Sequence, residues 1–473
     1  MKKMTSFRWT ICALLFAATL VNYLDRQVLS LTWKDFIAPE FHWDDSHYGI
    51  VTGGFSLVYA VCMLFVGKIT DRLGTHRGYL WAISFWSGAA ALHAVCGVLT
   101  QWVTGYESYA ALRAVQAGSQ AAVAIATVST WLFLACRCLL AAGESGNFPS
   151  AVKSVTEYFP AKDRAFATSI YNAGSSVGAL LAPLTIPLIA RRWGWEAAFI
   201  LVGGLGFLWM GFWMKLHRVP SENPRVNAEE LAYIESGDRV VSSDAAVRRF
   251  TYGRAFGCRQ TWGLVLERLF TDGVWWFYLF WTPSYLKDRF GYTSDSFSGM
   301  MLIVLLYAIV AGLSIVLCRI PKLLVERRGM NAYEGRLVAM FFFACLPLLA
   351  IFAQPMGGVS PYFVSILIGI ACAGHQAWSA NVYSAIGDLF PKHAIGTLTG
   401  ITGLACGIGS FTVNITAGRI FKWSEGLGDA LNFLGYHGKE AGYMMVFCYC
   451  GIAYLVGWTA LKLLVPRYRP VEG

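Results

Sequence analysis

The sequence predicts an all-α integral membrane protein with twelve transmembrane helices in two six-helix bundles, both termini cytoplasmic. Three observations predict it. Of 473 residues, 56% are hydrophobic and only 14% are charged, against about 25% charged in soluble domains. Windows of about 20 apolar residues, the length needed to cross the hydrocarbon, recur twelve times. A polar stretch divides them six and six. The apolar runs are long and continuous, which excludes the alternating segments of about ten residues that build a membrane barrel.

The expected spans are 8–31, 47–70, 78–100, 129–150, 165–190, 197–216, 261–286, 298–320, 337–354, 361–386, 394–420 and 442–465. Residues 1–216 then form one bundle, 217–260 a cytoplasmic linker and 261–473 the second bundle. The linker holds Pro220, Pro224, an acidic helix start at Asn227–Glu230 and the basic Arg248, Arg249 and Arg254. Between the third and fourth spans, residues 101–128 form an outside insertion with Trp102, Tyr106, Glu107, Tyr109 and Arg113. The net charge of +10 would suggest nucleic acid in a soluble protein. In this chain most lysines and arginines fall on the side that holds both termini, which is the positive-inside pattern, so no nucleic-acid partner is expected. The first run is too long for a signal-peptide core and contains Asp25 and Arg26. Of the 12 cysteines, all but Cys258 fall in expected spans, where they are packing residues rather than a disulfide framework.

Charge inside the spans carries the chemistry. Asn22-Tyr23-Leu24-Asp25-Arg26 lies late in the first span, and Arg137 and Glu144 stand seven residues apart on one side of the fourth. An ionisable group at membrane depth costs at least ~2.5 kcal/mol, so such groups mark substrate or proton pathways or structural ion pairs. Arginine offers a planar fork of donors suited to a carboxylate, and a carboxylate can take up a proton. The pattern therefore points to a transporter of an organic anion, with Arg137 and Arg26 as anion groups and Asp25 and Glu144 as proton groups. No H-E-x-x-H or Cys/His cluster is present, so an enzyme or a metal site is not expected. Tyr23, Tyr59, Asn172, Ser175, His375, Gln376 and Asn414 lie within apolar helices, where each either reads a substrate hydroxyl or bonds a neighbouring helix. Trp276 or Tyr278 could stack on a sugar ring.

The loop Gly67-Lys-Ile-Thr-Asp71-Arg72-Leu-Gly74-Thr-His-Arg77 resembles the signature of the major facilitator superfamily. The resemblance implies a cytoplasmic gate in which Asp71 latches to Arg72 or Arg77. Tyr23-Leu-Asp-Arg26, Arg137-x6-Glu144 before Gly146-Asn147-Phe148-Pro149, and Tyr171-Asn-Ala-Gly-Ser-Ser-Val-Gly-Ala179 resemble its anion:cation symporter branch. So do Asp272-Gly-Val-Trp-Trp-Phe-Tyr-Leu-Phe-Trp-Thr-Pro-Ser-Tyr-Leu286 and Gly374-His-Gln-Ala-Trp-Ser-Ala-Asn381. Together they look like hexuronate transporters, with galactonate and glucarate transporters as relatives. The chain departs from them in the 101–128 insertion, in Gly273 where proline is expected, and in Cys318-Arg-Ile-Pro-Lys322, which lacks the glycine-rich signature. The resemblance implies proton-driven import of a sugar acid such as galacturonate or glucuronate across the inner membrane. It gives Tyr59 and Asn414 a substrate contact, requires no cofactor beyond the coupling proton, and suits a monomer in the lipid bilayer. A galactonate- or glucarate-type transporter, or an uncoupled facilitator or exchanger, is the alternative.

Overall fold

The structure, a computed structural model, describes residues 4–236, 252–391 and 394–471. Its long helices are α1 (Phe7–Thr32), α2 (Asp45–Leu92), α3 (Gln120–Glu144), α4 (Ala161–Trp193), α5 (Trp195–Leu216), α6 (Arg259–Phe290), α7 (Phe297–Leu317), α8 (Ala332–Cys345), α9 (Pro361–Leu389), α10 (Ile395–Leu427) and α11 (Gly438–Leu464). α2 supplies two crossings, because Gly74 breaks it with φ 76° and ψ 160°, a left-handed conformation that glycine adopts without a Cβ clash. The expected gate loop is therefore a kink within one helix.

Eleven helical stretches among the described residues are long and apolar enough to cross a membrane. The expected span 261–286 is the one outside that set. It lies in α6, whose 32 residues give ample length but whose Glu267, Arg268 and Asp272 lower its apolar character. The insertion is helical rather than a loose loop. Helices Cys96–Thr104 and Tyr109–Arg113 lead into α3, which starts at Gln120, before the expected 129. The insertion docks on residues 38–42, where Arg113 Nη2 donates to Glu40 Oε2 at 2.9 Å and His42 Nε2 lies 2.9 Å from the Leu112 carbonyl. A two-residue hairpin pairs Asn432–Phe433 with Tyr436–His437.

Part of the expected linker, 237–251, lies outside the described residues. Its preceding helix, Ala228–Glu235, ties back to the start of the chain. Glu230 accepts from the backbone N–H groups of Phe7 and Arg8 at 3.0 and 3.1 Å and from the Arg8 guanidinium at 2.9 Å. A carboxylate there satisfies two of the donors that a helix start leaves open.

The two halves of the chain close on each other at the end that carries residues 33–45. Gly49 of α2 and Gly418 of α10 face each other, and a Cβ on Gly49 would lie 2.8 Å from the Asn414 carbonyl oxygen. Only glycine allows the backbones this close. Deeper along the seam, Ser410 Oγ donates to Ser56 Oγ at 2.8 Å, and Tyr48 OH donates to the Phe280 carbonyl at 2.8 Å.

Candidate functional site

The charged residues of the first and fourth expected spans meet. α1 presents Arg26 to α3, and Arg26 Nε lies 2.6 Å from Glu144 Oε2, with the two side chains 3% and 0% exposed. Arg137, one helical face with Glu144, donates from Nη2 to the Arg26 carbonyl at 3.1 Å. Among the described residues its Nε and Nη1 have no partner, and neither do Arg26 Nη2 or either oxygen of Asp25. The four groups balance in charge, two guanidiniums against two carboxylates. Yet their hydrogen-bonding capacity is only partly used, and buried donors left open are costly. A third carboxylate entering the cluster finds two arginines with free N–H groups.

Aromatic rings from both halves of the chain wall the Arg26 guanidinium. Its Cζ is 4.7 Å from the Tyr59 ring centroid, 5.1 Å from Tyr23 and 5.2 Å from Trp276. Arg137 sits over Phe55 at 5.3 Å. These are cation–π distances, and they join α1, α2 and α6 around one cation. Tyr23, Asp25, Arg26, Tyr59, Arg137, Glu144 and Trp276 are thus brought together as one cluster.

The remaining expected site residues stand apart from it. Tyr278, two residues after Trp276 and so on another face of α6, lies against Cys372 and Cys450 in the second half, its hydroxyl unpartnered. His375 stacks on Trp275 at 5.2 Å and has Nδ1 2.7 Å from Tyr454 OH, a satisfied contact between helices. Asn414 is fully engaged: it accepts from Trp281 Nε1 at 2.9 Å and donates to the Ser410 carbonyl at 2.8 Å. Asn172 is exposed, Gln376 and Ser175 are half-buried, and Ser175 Oγ donates to the Asn172 carbonyl. Arg72 and Arg77 are exposed. The side chain of Asp71, and with it the expected latch, lies outside the described residues.

Ion pairs spread over the 33–45 end form a feature absent from the expectations. Lys34 bonds Asp45 and Asp288, both at 3.2 Å. Lys439 bonds Asp288 at 2.9 Å and also Asp45. Lys287–Asp35 and Lys422–Asp44, both 2.8 Å, and Arg191–Asp295, 3.7 Å, join the halves again. At the opposite end, Arg8–Glu230 and Arg336–Asp388, both among the described residues, do not bridge the halves. The sequence signal was present as lysines and aspartates beside the span ends, but four of the seven pairs join residues more than 200 positions apart.

Residues 15–413 match the Major Facilitator Superfamily. The chain belongs to this superfamily. It is 25% identical to a hexuronate transporter of Escherichia coli strain K12 over 98% of this chain and 96% of that one. It is 27% identical to a D-galactonate transporter of E. coli O6:H1, covering 98% and 97% of the two chains. A galacturonate transporter of Dickeya chrysanthemi is 25% identical over 62% of this chain and 75% of its own. Among solved structures, a D-xylose–proton symporter superposes with TM-score 0.66 at 16% identity, over 96% of this chain and 98% of that one. A bacterial homologue of the human lysosomal transporter Spinster gives TM-score 0.65 at 17% identity, covering 97% of each chain. The chain is thus a multi-pass membrane transporter of this superfamily, and not an enzyme.

Proposed function

We propose that this transporter is a proton-coupled symporter that imports a sugar acid, a hexuronate such as galacturonate or glucuronate, across the inner (plasma) membrane. The observation that carries the reading is the charge-balanced cluster of Arg26, Arg137, Asp25 and Glu144, in which only Arg26 and Glu144 form an ion pair among the described residues. Its arginines have unused donors beside aromatic rings, and the chain is similar to hexuronate and galacturonate transporters. In this reading α6 is the twelfth span, both termini are cytoplasmic, and residues 1–216 and 261–473 are two bundles joined by 217–260. The protein works as a monomer with no cofactor.

The cycle follows from charge balance. A proton on Glu144 or Asp25 removes one negative charge from the cluster, which frees an arginine from its internal bond. The freed fork binds the substrate carboxylate, keeping the buried site neutral, while Tyr59 and Trp276 cover the apolar face of the sugar. The loaded carrier rocks about the midplane site and releases the anion and then the proton, and the Arg26–Glu144 bond re-forms. Lysine–aspartate pairs at the 33–45 end hold that entrance shut in the conformation described. Asp71, Arg72 and Arg77 do the same at the cytoplasmic end in the other conformation.

A thermal-shift panel of purified protein with galacturonate, glucuronate, galactonate and glucarate tests the substrate class. Stabilisation by a uronate, lost in Arg26→Gln, supports the reading. Stabilisation by galactonate or glucarate alone moves the substrate to the alternative class.

A further inference from the structure

α6 carries a second buried ionisable cluster that the substrate site does not use. Arg268 Nε lies 2.7 Å from Asp272 Oδ2. Its other nitrogens donate to Thr402 Oγ1 at 3.4 Å and Tyr383 OH at 3.2 Å, and its guanidinium lies over the Tyr383 ring at 4.8 Å. Each nitrogen of the Arg268 guanidinium thus has one partner, in Asp272, Thr402 or Tyr383. Glu267, the preceding residue, is 0% exposed. Its Oε2 accepts from Trp378 Nε1 at 2.8 Å, and its Oε1 has no partner among the described residues.

Counting charge separates this cluster from the one around Arg26. The first half sets two arginines against two carboxylates. Here one arginine faces two carboxylates, so the cluster is one positive charge short. The groups turned toward it are Arg268 and Asp272 on α6, His375 and Tyr383 on α9, Cys406 on α10 and Tyr454 on α11. Of these only Arg268 is a permanent cation, and His375 spends Nδ1 on Tyr454. An unpaired carboxylate inside a membrane bundle costs several kcal/mol. A proton removes that cost without a new side chain.

We propose that Glu267 is a second proton-carrying carboxyl, so that the second half of the transporter holds an ion site of its own. The proton bonds to Oε1, the oxygen without a partner, while Oε2 keeps the Trp378 indole. It arrives from water when the cluster opens to one side and returns to water when Arg268 turns from Asp272 to its neighbour. The inference rests on the proton-coupled reading, to which it adds one proton per substrate.

Two measurements test it with Glu267→Gln, which keeps an acceptor for Trp378. Reversal potentials in proteoliposomes should show one fewer proton per substrate in the variant, with substrate Kd within twofold of wild type. An unchanged ratio overturns the proposal. Infrared difference spectra of the purified protein should show, besides any bands of Asp25 and Glu144, a protonated-carboxyl band that titrates with pH in wild type and in His375→Gln but is missing from Glu267→Gln. A band that persists at every pH in wild type would make Glu267 a permanent structural acid and overturn the proposal, as would loss of the band in His375→Gln alone. The spectra read Glu267 even if transport proves uncoupled, so the two ideas fail separately. If Glu267→Gln does not fold, Glu267→Asp serves: it should keep the band but shift its titration, and an unshifted band overturns the proposal.

Discussion

Replacing Glu144 with glutamine isolates the switch between internal pair and substrate. In the resting structure Glu144 accepts from Arg26 Nε at 2.6 Å with both side chains sealed from solvent. A hydrogen bond to a charged group contributes about 1.5–3 kcal/mol net, a bond between two ionised partners lying at the upper end and one in which only the guanidinium is charged at the lower end. The amide therefore lowers the cost of releasing Arg26 by about 1–1.5 kcal/mol, roughly tenfold in an equilibrium constant. Charge balance acts in the same direction. Glu144→Gln leaves two arginines facing Asp25 alone, and an incoming carboxylate restores neutrality. Galacturonate Kd, measured calorimetrically in detergent, should tighten by about tenfold, and saturating substrate should raise Tm more than it does in wild type. Transport should reduce to exchange without accumulation. A Kd equal to or weaker than wild type would show that Glu144 does not compete with substrate for Arg26, and the switch would have to lie elsewhere.

Four further outcomes follow from the same geometry. Arg137→Lys keeps the charge but loses the two unpartnered nitrogens of the fork, Nε and Nη1, so galacturonate binding should weaken by about 2 kcal/mol in the same calorimetric titration; wild-type affinity removes Arg137 from the carboxylate site. Asp25→Asn should flatten the loss of substrate affinity as pH rises while leaving some binding, whereas Kd-against-pH curves parallel to wild type would make Asp25 a structural partner of Arg137. Lys439→Ala removes a bridge from Asp45 to Asp288 and should shift the population toward opening at the 33–45 end, read as faster labelling of a cysteine placed at Ser46; unchanged labelling shows that the network does not hold the entrance. Burial, followed by the neighbouring His76, pushes the His217 imidazole down to about 3, so it stays neutral where an unfolded histidine takes up a proton. Stability should fall as pH drops below about 6.5 toward 3, and His217→Gln should remove that part of the acid sensitivity in thermal melts.

Much of the fold was legible in the sequence because membrane spans are long and apolar and charge stands out within them. Asp25, Arg26, Arg137 and Glu144 could be singled out by depth alone, and the structure places them together. Helical phase was harder to read. Trp276 and Tyr278 are two residues apart, about 200° around α6, so at most one could face Arg26, and the sequence carries no signal that fixes which. His375 and Asn414 looked available because their partners, Tyr454 and Trp281, lie far along the chain. Glu267 and Arg268 stand near the start of the expected span 261–286, and because charges near a span end usually belong to the interface, nothing in the sequence marked them as a site. The lysine–aspartate closure was invisible for a related reason. Each of its residues sits unremarkably at a span end, and only tertiary packing brings Lys34, Asp45, Asp288 and Lys439 within bonding distance.

Uptake of radiolabelled galacturonate into proteoliposomes containing the purified protein, with and without an imposed pH gradient, tests the central claim most directly. With the outside acidic, the label should accumulate above its external concentration and collapse to equilibrium on adding a protonophore. Arg137→Lys should abolish uptake, and Glu144→Gln should permit counterflow only. Equal final levels with and without the gradient, at normal counterflow rates, would contradict proton coupling and leave an uncoupled anion carrier.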